Sequence, residues 1–186
     1  MLKRYHSQLV WLVLLIGLLV SARCLIALYQ IHQQNQLIAQ LQADHDIPAD
    51  KLVNSQPEVR MARAVYLRKH HHYAEALATL SLIMQQGDTL LQAKVRYNLG
   101  NIYLEQAVTN VENRAINQAL PLLMLAKQAY RQALALDSGF WDAKYNLEVA
   151  MRLLPEMARL DLDENAEQQQ QTQLWTTMPG FPRGLP

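Results

Sequence analysis

His70, His71 and His72 form the densest run of potential metal ligands in the chain. Successive helical residues point about 100° apart, whereas metal sites draw on i, i+4 pairs or on distant segments. The triplet is therefore expected to mark the polar turn of a helical hairpin, and no metal is assigned to it. Asp161, Asp163, Glu164 and Glu167 gather carboxylates near the C-terminus, but the glycine-centred calcium loop pattern is absent. Their stretch, "EMARLDLDENAEQQQQTQ", reads as a solvated helix or linker. There is no P-loop, dinucleotide glycine fingerprint, nucleophile elbow or zinc-protease helix. The lone cysteine, Cys24, permits neither an intramolecular disulfide nor a cysteine metal site. No catalytic residue or cofactor is assigned, and the chain is read as a non-enzyme.

What remains is the chemistry of recognition. In "KVRYNLGNIYLEQA", Lys94, Tyr97, Asn98 and Asn101 recur at a spacing of three or four, which puts them on one helix face. The two asparagines offer carboxamides to a partner's backbone, and Tyr97 offers a flat apolar contact. Tyr145, Asn146 and Arg152 hold comparable positions in the later "KYNLEVAMRLLP". The alternative is that the tyrosines pack between helices and the asparagines are solvated. A second candidate surface is the tail "LWTTMPGFPRGLP". Its prolines and glycines forbid a regular helix, while Trp175, Met178 and Phe181 are costly to leave exposed. Such a tail docks either on its own chain or on another protein, and partner docking is the reading adopted.

The elements that must position these residues are helical. With 51% hydrophobic and 18% charged residues among 186, the chain has the composition of a globular helical protein with room for one modest domain. A net charge of +1 and no Lys/Arg cluster beyond the first residues give no reason to expect nucleic acid as a partner. From 57 to 155 the apolar periodicity is helical throughout. Two helices flank His70 to Tyr73, and the second carries Ala76, Leu77, Leu80, Ile83 and Met84 as one stripe. Gly87 is the expected stop and Asp88 the expected cap of the next helix.

Residues 1–42 read as a cytoplasmic end, a transmembrane anchor at about 9–29 and a helical stalk. Trp11 and Tyr29 lie near the ends of the span, and Arg23 can snorkel outward. Lys3 and Arg4 precede the span, and after Arg23 no Lys or Arg follows until Lys51, which predicts an N-in, C-out topology. In a bacterium this is a single-pass inner-membrane protein with a periplasmic domain. Cleavage after Ala22 is the alternative, and the apolar continuation "CLIALY" favours the uncleaved anchor. Arg23 stands where lipidation of Cys24 would require a small residue. Residues 43–56, with Pro48, read as a linker.

"RYNLGNIYLEQA" and "KYNLEVAMRLLP" share a basic-Tyr-Asn-Leu start. With Leu99, Gly100 and Tyr103 in one helix and Ala126, Tyr130 and Ala133 in another, residues 57–155 resemble tetratricopeptide repeats, which are helical hairpins of about 34 residues. The pattern departs from the family at Ser138, where Pro is usual, at Arg63 and Ala64, where Leu and Gly are usual, and by an insertion at 105–120. That insertion is expected as an enlarged turn or as lengthened helices, with Pro121 either in the first turn of the returning helix, the placement preferred on backbone grounds, or kinking a longer one. The anchor, the repeat-like segment "QALPLLMLAKQAYRQALALDSGFWDAKYNLEVAMRLLPE" and the ending "MPGFPRGLP" together resemble MxaK-type proteins. That resemblance implies an assembly role beside von Willebrand A-domain proteins and a MoxR-type AAA ATPase, in maturation of methanol dehydrogenase. The fold expected is all-α: an N-terminal transmembrane helix, a short tetratricopeptide-like hairpin stack and an extended tail at 156–186. The function expected is that of a membrane-anchored adaptor. A purely structural subunit without a peptide groove is the alternative.

Overall fold

No proline interrupts the chain between Leu2 and Gln42, so nothing ends the helix where the apolar run turns polar at Gln30. A computed structural model, which describes residues 2–52, 55–154 and 159, accordingly places one uninterrupted helix, α1, at Leu2–Gln42. Among the described residues this is the one helix long and apolar enough to cross a membrane, and a signal sequence has the same properties. Its large apolar side chains from Trp11 to Ile31 are exposed.

The described residues are all-helical. The remaining elements are α2 (Ala49–Leu52), α3 (Pro57–Lys69), α4 (Tyr73–Ile83), α5 (Thr89–Glu112), α6 (Ile116–Leu136) and α7 (141–154). The chain forms two compact units, Met1–Tyr66 and Leu67–Pro186, and the division falls inside α3.

In the first unit the end of α1 is a packing element. Leu41 is buried with Ile47, Leu52 and Val59, and Leu37, Ile38, Ala62 and Tyr66 close over them. The stretch 43–56 therefore carries more structure than a linker: it contains α2 and supplies two of the four buried residues of this core. Its polar groups are also held. Asp46 accepts from the Ile47 amide at 2.7 Å and pairs with Arg63 at 3.4 Å, while Arg60 and Ser55 both donate to the Leu52 carbonyl.

In the second unit the histidine triplet lies in the turn between α3 and α4, as its sequence suggests. His71 adopts φ 61° and closes α3: its amide donates to the Arg68 carbonyl, and the His72 amide reaches back to Leu67 at 2.9 Å. His72 stands at the N-cap of α4, whose Ala76, Leu80 and Ile83 are buried while Leu77 and Met84 are half-buried. Gly87 follows at φ 75°, and the Asp88 carboxylate accepts from the Leu91 amide at 2.7 Å to cap α5.

The insertion is taken up as helix length. "EQAVTNVE" contains neither glycine nor proline, so α5 continues to Glu112, and the turn is closed by Arg114 at φ 60° with Ala115 donating to Asn110 at 2.8 Å. Pro121 is not in the first turn of α6 but inside it, five residues past Ile116. Its missing amide deprives the Asn117 carbonyl of a ladder bond, and because Asn117 and Pro121 are both exposed, water can take that place. The antiparallel α5–α6 pair makes the most extensive helix–helix contact in this unit. Ala107, Ala119, Leu123, Ala126, Tyr130 and Ala150 form its core.

Candidate partner-binding surface

A close approach in this core is made where a side chain is missing. Gly100 of α5 faces Tyr130 of α6, and a Cβ at Gly100 would meet the Tyr130 ring at 2.5 Å. Bare backbone there lets the ring pack against α5 and become fully buried. The hydroxyl donates to Asn101 Oδ1 at 2.8 Å. Asn146 of α7 donates to the same oxygen at 2.9 Å and to the Tyr97 hydroxyl at 3.4 Å. One carboxamide oxygen thus ties α5, α6 and α7 together. The Tyr97 ring covers this knot, 6.0 Å from Tyr130 and 4.8 Å from Phe140, which leads into α7.

Three of the seven residues expected to face a partner are therefore engaged inside the unit. The oxygen of Asn101 is already occupied and the residue is buried, so it is not presented to a partner backbone; Tyr97 and Asn146 are partly buried around it. Asn98 donates to its own Lys94 carbonyl at 2.8 Å, four residues back. Lys94, Tyr145 and Arg152 remain exposed, and Arg152 pairs with Glu148 at 2.5 Å. Trp175, Met178, Phe181 and the carboxylates from Asp161 to Glu167 lie outside the described residues.

Burial pushes the Tyr130 phenol well above the usual tyrosine range, and Tyr97 beside it pushes in the same direction. The folded state therefore holds this proton where the unfolded chain releases it, near pH 10. The stability that burial of the neutral phenol provides is complete below about pH 10 and declines above it, by up to about 1.4 kcal/mol per pH unit. Tyr130→Phe carries no such proton, so its urea midpoint is expected to fall less steeply than wild type between about pH 9 and 11. Parallel curves would contradict the buried placement. Tyr73, raised by burial and then by Glu105, is present in both chains and cancels.

The surface left for a partner is on α7. Trp141 is 73% exposed, Tyr145 62% and Met151 51%, and the i, i+4 spacing of Trp141 and Tyr145 sets two aromatic rings on one outward face. Ala143 and Ala150 form the opposite, buried face. Trp141 and Met151 were not among the expected residues. Their signal was available, since Ala143 and Ala150, with half-buried Leu147, already supply the inward stripe and leave the aromatics over.

A second cleft, of about 560 Å³, opens beside the α3–α4 turn and is lined by His71, His72, Tyr73, Glu75 and Thr109 among others. His71 Nδ1 lies 2.8 Å from the Tyr73 hydroxyl and His72 Nδ1 3.4 Å from Glu75. Among the described residues no three His, Cys, Asp or Glu side chains are grouped to hold a metal ion.

Among the described residues these features define an all-helical protein with one helix long and apolar enough to cross a membrane and a second unit in which hydrogen bonds at Asn101 tie α5, α6 and α7 together and leave an aromatic face of α7 open. Comparison with protein-family models, with curated proteins and with solved structures gives no match.

Proposed function

We propose that this protein is a non-enzymatic, membrane-anchored adaptor whose tetratricopeptide-like helical unit binds another protein outside the cytoplasm. The observation that carries this reading is the aromatic face of α7: two large rings more than half exposed on a helix whose other side is locked by the Asn146 bonds. Aromatic residues on a rigid support are what protein interfaces use as anchors, because few rotamers are lost on binding. The apolar exposed run of α1 supports retention at the bacterial inner membrane, and the early Lys3 and Arg4 support an N-terminus in the cytoplasm and a unit in the periplasm. The resemblance to MxaK-type proteins proposes the partners: A-domain membrane proteins and a MoxR-type AAA ATPase complex acting on methanol dehydrogenase.

The test is purification of the tagged full-length chain from membranes in mild detergent, with mass spectrometry of what accompanies it. Recovery of A-domain proteins or an AAA ATPase is expected, with loss of the partner but no lower melting temperature when the chain is cut before Trp175. A large drop in melting temperature on that deletion would place the tail against its own chain instead. Recovery of nothing beyond lipid would refute the adaptor reading.

A further inference from the structure

The outward side of α6 is apolar where its periodicity calls for polar residues. Ala119, Leu123, Ala126, Tyr130 and Ala133 already form the buried stripe, yet Met124 is 59% and Leu125 41% exposed on the other side. With Pro121, and with Leu154 at the end of α7, they line a trough of about 860 Å³ that continues along α6 to Ala135. Lys127 and Arg131 are its charged groups. Among the described residues no carboxylate lines it, and neither cation forms a salt bridge.

The order of these residues along α6 defines what fits. Pro121, Met124, Leu125, Gln128, Gln132 and Ala135 recur at spacings of three and four and so form one stripe. From Pro121 to Ala135 the stripe runs about 21 Å, the length of about four turns of a second helix. Its first half is apolar, and Lys127 and Arg131 stand one turn apart beyond Leu125. A helix with leucines on one face would bury the apolar half, and two carboxylates one turn apart would answer the cations. A second copy of this chain suits the surface poorly. A twofold contact sets the same patch on both sides, so the Lys127 and Arg131 of both copies would meet with no carboxylate of the trough between them.

We infer that the α6 trough docks an acidic amphipathic helix of another protein, with leucines on Met124 and Leu125 and carboxylates toward Lys127 and Arg131. This is a contact surface apart from the α7 aromatics, and it stands or falls without them.

The experiment titrates the full-length chain in detergent with a fluorescent amphipathic peptide that carries leucine at i, i+3, i+4 and i+7 and glutamate beside them. The same peptide with lysine for glutamate is the comparison. The glutamate peptide is expected to bind, less tightly as salt rises, and at least about tenfold more tightly than the lysine peptide. Lys127→Glu with Arg131→Glu should reverse that preference. Met124→Ser with Leu125→Ser should weaken both peptides without lowering the melting temperature, since neither side chain is buried. Equal binding of the two peptides, a preference that survives the charge reversal, or no binding at all would overturn the proposal. A photoreactive phenylalanine analogue at Gln128, irradiated in cells, reads the native occupant. An adduct to a leucine- and carboxylate-rich helical segment of another protein is expected. An adduct to lipid, to a second copy or within the chain itself, or no adduct, would overturn the proposal as well.

Discussion

Tyr130→Ala is expected to remove about 3–5 kcal/mol of stability, the range for deleting a buried aromatic ring. The ring is fully buried between α5 and α6, and its removal also takes from Asn101 the hydroxyl it accepts from. A helical unit has only about 5–15 kcal/mol in total, so this substitution brings it to the edge of unfolding. Gly100→Ala attacks the same contact from the other side. Its Cβ would lie 2.5 Å from the fully buried Tyr130 ring, at a cost of about 1–3 kcal/mol. Because both changes act on one contact, their effects are not expected to add. Denaturant unfolding of the full-length chain in detergent, followed by circular dichroism, measures both. A loss below about 1 kcal/mol for Tyr130→Ala would mean that α6 is not held by this ring.

The second large effect concerns binding. Replacing Trp141 and Tyr145 together with serine should lower partner affinity by at least about 30-fold, since aromatic anchors at interface centres cost about 2 kcal/mol or more when truncated. Stability should change by no more than about 0.5 kcal/mol, because neither side chain is buried. Quantitative co-purification against thermal unfolding separates the two. Equal partner recovery from wild type and the double variant would remove α7 from the interface.

Local features of this fold were legible because their causes are local. Asp88 caps α5, Gly87 takes the left-handed turn before it, and the histidine triplet sits where α3 gives way to α4. Ala76, Leu80 and Ile83 bury as their spacing predicts. The reading of Asn101 went astray because periodicity assigns a residue to a face without saying what covers that face. The answer lies 29 residues away in Tyr130 and 45 away in Asn146. Pro121 misled in a related way: its preference for a first turn is real, but the missing amide costs little on an exposed face, so α6 starts five residues earlier. At 43–56, Pro48 and the polar residues masked the fact that Ile47 and Leu52 suffice to complete a small core with Leu41 and Val59.

The open face of α7 is the centre of the functional account, and site-specific photo-cross-linking in living cells addresses it directly. A photoreactive phenylalanine analogue in place of Tyr145, with the same analogue at exposed Leu82 as a reference, would be irradiated and the adducts identified. The account predicts a discrete adduct to another polypeptide from position 145 and none from position 82. Adducts confined to the protein's own chain, or the same pattern from both positions, would contradict it.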